Sequence, residues 1–110
     1  MQTRREFYAR MARRVEGYVK AFEEFTKELC ASNLAEEAYL VGSRARGDWA
    51  SSSDFDVVVV VGDYVDPIDV ATRVRLLKGK GVPMDVVVLR RGELGDPVYA
   101  EMLRYARRIC

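Results

Sequence analysis

The residues best suited to chemistry lie between positions 41 and 56, in the run VGSRARGDWASSSDFD. Gly42 and Ser43 follow an apolar segment and open a turn. Small residues at a strand-to-helix turn let backbone N–H groups approach an anion, and the Ser43 hydroxyl adds a donor. Arg44 and Arg46 bring two guanidinium groups to the same place, so the turn reads as a polyphosphate cradle. Asp54 and Asp56 stand one residue apart at the mouth of the next apolar run. Side chains alternate along a strand, which turns both carboxylates to one face. Two acids so close repel each other unless a cation sits between them. Mg²⁺, which takes one or two carboxylates together with water and substrate phosphates, suits such a pair. Asp85 interrupts a third apolar run, between Met84 and Val86. Neighbouring strands would make it the third carboxylate of a cluster able to hold two metal ions for in-line phosphoryl or nucleotidyl transfer. Singly, these features read as a turn, a solvated strand start and an edge charge. Their combination on these spacings points to a site.

The elements that must position these residues follow from periodicity. Apolar residues from Phe7 and Tyr8 through Met11, Val15, Tyr18, Val19, Phe22 and Phe25 to Leu29 recur at three- and four-residue steps. They predict one long amphipathic helix over 3–31, with Gly17 a point of weakness. Its five aromatics leave room for part of the stripe to serve a partner. Short strands are predicted over 37–42, 54–61 and 84–89. The valine run at 57–61 implies burial on both faces, as in a central strand. Asp66-Pro67 and Asp96-Pro97 each read as an N-cap followed by proline at the first helical turn. The first of these helices should run to about Lys78. The second should run almost to Cys110, with Val98, Met102, Leu103, Tyr105 and Ala106 turned inward and Arg104, Arg107 and Arg108 near its C-terminus, where cations suit the dipole. The sum is a single domain over 1–110: an N-terminal helix (1–32), a core (37–89) and a C-terminal helix (96–110). Its class is a two-layer α/β (α+β) fold, a small mixed sheet of three to four strands packed with helices.

Composition narrows the chemistry. The 110 residues hold 18 basic and 17 acidic side chains, for a net charge of +1, which argues against a domain built mainly to grip nucleic acid. No histidine is present. This excludes a Ser-His-Asp or Cys-His triad and every histidine-ligated metal site. The polar N-terminus predicts no secretory signal, and no apolar run is long enough to span a bilayer, so a cytoplasmic protein is expected. In that compartment Cys30 and Cys110, which form no CxxC pair, are expected as free thiols, a disulfide being the alternative.

Gly42-Ser43, Asp54-Phe55-Asp56 and Asp85 together resemble the signature of the DNA polymerase beta nucleotidyltransferase superfamily. The fuller string GSRARGDW…SDFD is similar to the minimal nucleotidyltransferases of prokaryotes, often the antitoxin halves of modules whose toxin carries a HEPN domain. The resemblance spans about 39–89. It implies a polymerase-beta-like nucleotidyltransferase fold, with Asp54, Asp56 and Asp85 as catalytic metal ligands for Mg²⁺, two ions in number. Asp85 would also act as general base. Gly42 and Ser43 would hold the β,γ-phosphates of ATP, with Arg46 and Arg44 on the polyphosphate or acceptor. The implied reaction moves AMP from ATP to a tyrosine hydroxyl of the toxin. Ala50-Ser51-Ser52 departs from the proline- and charge-containing loop of relatives, which bears on acceptor recognition rather than catalysis.

A chain this short leaves little room for a substrate domain, so the acceptor should come from another chain. The expected assembly is a hetero-oligomer with the toxin, or a homodimer alone. Two other readings remain: an antitoxin that neutralises its partner by binding, and a nucleotidyltransferase acting on RNA or a small molecule. Trp49, in the loop, is the aromatic best placed to touch a ligand or partner, whereas Tyr39 and Tyr99 read as packing residues.

Overall fold

The computed structural model of the chain describes residues 3–46, 54–79 and 82–110. A long helix α1 (Arg4–Ser32) is followed by strand β1 (Glu37–Val41), a one-turn helix α2 (Gly42–Ala45), strand β2 (Phe55–Val61), helix α3 (Pro67–Leu77), strand β3 (Met84–Arg90), a 3-10 turn (Arg91–Gly95), helix α4 (Pro97–Met102) and a two-residue strand β4 (Arg107–Arg108). The start of α1 is locked by a capping box. The Thr3 hydroxyl accepts from the Glu6 backbone N–H at 3.1 Å, and the Glu6 carboxylate accepts from the Thr3 N–H at 3.2 Å. Asn33, at φ 60°, ends it in the left-handed conformation that asparagine tolerates. Gly17 does not break it. Both Asp-Pro starts fold as expected: Asp66 accepts from Ile68 N–H at 3.0 Å and Asp96 from Val98 N–H at 2.9 Å.

The four strands form one mixed sheet in the order β3-β2-β1-β4. β1 and β2 run antiparallel, β2 and β3 parallel, and the register sets Asp56 opposite Asp85. The valine run therefore lies between two partners, and residues 57–61 are all at most 2% exposed. Alternation then sorts β2 into two faces. Phe55, Val57, Val59 and Val61 pack with Phe22, Phe25 and Leu29 of α1 and with Val70 and Val74 of α3. Val58 and Val60 join Val41 and Leu89 on the other face, under Tyr99, Met102 and Leu103. Among the described residues no helix is long and apolar enough to cross a membrane.

Two sequence expectations are corrected. The last helix does not continue to Cys110: it stops at Met102. The chain then turns and lays Arg107 and Arg108 antiparallel to Tyr39 and Leu40, while Ile109 N–H donates to the Ala38 carbonyl at 2.8 Å. The edge of β1 would otherwise expose unpaired backbone groups, and satisfying it outweighs the weak local preference for more helix. Arg108 accordingly pairs with Glu37 at 3.8 Å rather than lying at a helix end. The two cysteines are not free thiols. Cys30 and Cys110 are joined, with Cα atoms 5.4 Å apart, tying α1 to the segment beyond β4. Nothing local to either cysteine signals this, because their 80-residue separation is closed only by the β4 pairing.

Candidate active site

Where β1 gives way to α2, Gly42 takes φ 74°, a conformation that favours glycine. A Cβ built there would lie 2.6 Å from Oδ2 of Asp56. Glycine is thus required twice over, for the turn itself and for its close approach to the carboxylate. The Arg46 N–H donates to the Gly42 carbonyl at 3.3 Å, closing the turn. Arg46 is exposed beside it. Ser43 contributes its backbone to α2, and its side chain lies outside the described residues, as do Trp49 and the Ala50-Ser51-Ser52 segment.

Arg44 goes elsewhere than the polyphosphate end. It is 0% exposed, and its guanidinium carbon lies 3.8 Å from the centroid of Phe55. The Phe55 ring stacks on Phe22 at 4.4 Å, near parallel. Two groups so close to one ring centroid must occupy opposite faces. α2, β2 and α1 are thereby pinned through a cation–ring–ring stack beneath the acidic strand end. Burial lowers the guanidinium's hold on its proton, and the charge of Asp54 opposes that loss.

Of the three predicted carboxylates, the fold brings Asp56 and Asp85 side by side on adjacent parallel strands. Asp54 stands exposed just ahead of β2. The Asp56 carboxyl is pushed above the ordinary range, first by burial, then by the charge of Asp85, then by that of Asp54. Among the described residues no three acids close into a ready-made metal-binding group.

Two hollows share this carboxylate pair. The first, about 470 Å³, runs from Gly42 and Arg46 past Asp56 and Asp85 to an apolar wall of Val98, Met102 and Tyr105 on and after α4. The second, about 580 Å³, lies on the β3 side and carries Arg75 and Lys78 from the end of α3. Both volumes fall in the roughly 300–1,000 Å³ range of small-molecule sites.

This glycine turn set against in-register acids coincides with a match to the family model for the nucleotidyltransferase domain over residues 22–109. The chain belongs to the nucleotidyltransferase domain family. No curated protein matches it significantly. A Sulfolobus solfataricus protein, described as a candidate nucleotidyltransferase and known from a 1.40 Å crystal structure, is similar in fold. Its TM-score is 0.63 at 25% identity, covering 89% of this chain and 84% of that one.

Nucleotidyltransferase domains as a class use a nucleoside triphosphate and a divalent cation. The donor set of this nucleotidyltransferase domain fits a hard cation in chemistry. Asp56 and Asp85 are adjacent oxygen donors whose repulsion a divalent ion would relieve, and a few carboxylates with water and phosphates suffice for Mg²⁺. Sequence reasoning missed two parts of the site. Val98 and Tyr105 were expected to pack inward, but they line the cavity at 68% and 57% exposure, whereas Met102 does pack on the core under α4 and also borders the cavity. Helical periodicity marks an apolar face without saying whether protein or ligand covers it. Arg75 and Lys78 carried no motif and come to line a hollow with the acids only through the packing of α3 against β3.

Proposed function

We propose that this nucleotidyltransferase transfers AMP from ATP to a tyrosine hydroxyl of a HEPN-type toxin and so acts as its antitoxin. The observation that carries transfer is the in-register pair Asp56–Asp85 held against the Gly42 turn at the centre of a ligand-sized cavity. The toxin acceptor rests on the resemblance of GSRARGDW…SDFD to the minimal prokaryotic members. The Gly42 turn and Arg46 bind the β,γ-phosphates and orient the α-phosphorus toward the acids. The Asp85 carboxylate takes the proton of the attacking hydroxyl. The new bond joins that oxygen to the α-phosphorus, the bond from the α-phosphorus to the bridging oxygen breaks, and pyrophosphate leaves. Asp56, Asp85 and Asp54 would hold Mg²⁺, which when bound supplies charge neutralisation for the phosphates.

A binding-only antitoxin is favoured by one feature: Phe7 and Tyr8 near the start of α1 are 49% and 62% exposed, ahead of the matched residues. Transfer to RNA or a small anionic acceptor is favoured by Arg75 and Lys78 in the second hollow. Intact mass spectrometry of the neighbouring-gene product, after incubation with this protein, ATP and Mg²⁺, separates the three readings. AMP-sized increments are expected with wild type and should fall roughly a hundredfold or more with Asp54→Asn/Asp56→Asn. A stable complex that neutralises the toxin equally well with the double variant would transfer the conclusion to binding alone. Labelling of RNA instead of protein would support the third reading.

A further inference from the structure

The first cavity contains more than a phosphate turn and two acids. Its far end is apolar and open. Val87 stands two residues beyond Asp85 on the same face of β3 and is 38% exposed, and Val98 and Tyr105 face it at 68% and 57%. Exposed large apolar side chains are normally scattered on a small protein. Here three of them meet in one hollow, beside the carboxylates. Among the described residues, Glu101 is the one ionisable side chain that lines this cavity besides Arg46, the two acids and Tyr105, and it is held 3.6 Å from Arg104 one turn along. An ionised carboxylate can only accept hydrogen bonds.

We infer that this end of the cavity is the nucleobase subsite, with Tyr105, Val98 and Met102 as the stacking wall and Glu101 selecting a base that carries an exocyclic amine. The inference rests on the nucleotidyltransferase reading above and deepens it. A molecule that needs an anion turn, a carboxylate pair and an aromatic wall in one continuous hollow is a nucleoside triphosphate. The alternative occupant, the acceptor, has a separate approach through the other hollow. Sheet order puts the Gly42 turn on the β1 side of Asp56, and Arg75 and Lys78 on the β3 side of the same acids. A leaving group at Gly42 and an acceptor arriving past Lys78 therefore flank the reacting centre, as in-line displacement requires. The first cavity is left to the donor. Adenine presents its amine to Glu101, whereas hypoxanthine presents a carbonyl oxygen that the carboxylate repels.

Equilibrium binding of ATP, inosine triphosphate and inorganic triphosphate to the whole protein, in Mg²⁺, tests this. Wild type should bind ATP roughly tenfold or more tightly than inosine triphosphate. Tyr105→Ala should weaken ATP by a factor of roughly 5–150 and leave inorganic triphosphate unchanged. Glu101→Ala should bring ATP and inosine triphosphate to within about threefold of each other while retaining the triphosphate. Both side chains are exposed, so folding is not at stake, and circular dichroism checks it. Unchanged ATP affinity in both variants would overturn the subsite while leaving the phosphate turn and the transferase reading intact. Failure of wild type to bind any of the three would overturn both.

Discussion

Alternate residues of one strand, β2, live in two different environments. Phe55, Val57, Val59 and Val61 are sealed at 2% exposure or less beneath α1 and α3. On the opposite face the strand begins with Asp56, half-buried among like charges at a cavity, and only farther along does it reach the closed valines Val58 and Val60. The sealed face gains from every carbon it buries. The face toward α4 keeps an acid in a place that raises its pKa, and a glycine in a conformation other residues resist. A period of two lets a single strand serve both ends, stability on odd positions and chemistry at the even position nearest its start.

This division can be attacked from either face. Phe25→Ala, on the sealed side, should cost about 3–5 kcal/mol in urea unfolding and leave the ATP affinity of the folded protein unchanged. An equal loss of affinity would mean that the faces are not independent. Cys30→Ser/Cys110→Ser, which frees α1 from the C-terminal segment, should lower stability by about 2–4 kcal/mol, again with binding preserved. On the active face the balance should reverse. Gly42→Ala should cost only about 1–2 kcal/mol for its positive φ but weaken ATP tenfold or more, because its Cβ collides with Asp56. Calorimetry beside titration reads both quantities.

The smallest effect should be a gain. Because the folded Asp56 carboxyl titrates above its ordinary value, its contribution to stability is present below that value and is lost as pH rises through the raised one. Asp56→Asn removes that loss. With chelator present, the variant should melt a few degrees above wild type at pH 7. The two should converge below about pH 4, where wild type is protonated in both states. A wild-type advantage at pH 7 would show that Asp56 is held by favourable contacts rather than tolerated.

Much of this was legible because it is local. The Asp-Pro caps, the glycine turn and the alternation within β2 depend on a few consecutive dihedrals and appear where the spacing put them, whereas Asp54 falls just ahead of β2 instead of within it. Arg44 was not legible. Its neighbours in sequence, a serine and an alanine, gave no hint that its guanidinium would bury on Phe55, a residue of the next strand. Val98 and Tyr105 of the cavity wall were read as core for a related reason: apolar spacing reports a face, not its occupant. The end of the chain was misread because its helical pattern was real but weaker than the unmet hydrogen bonds of the β1 edge.

What the amino-acid sequence determined alone is the alternation along each strand, the positions where helices begin and the turn at Gly42-Ser43, since backbone geometry dictates these within a few residues. Tertiary structure decided that Asp85 stands in register with Asp56, that Cys30 meets Cys110, that Arg75 and Lys78 share a hollow with the acids, and that Tyr105 faces a cavity. Each of these depends on which distant segments pair, and that is set by the packing of the whole chain rather than by any stretch of it.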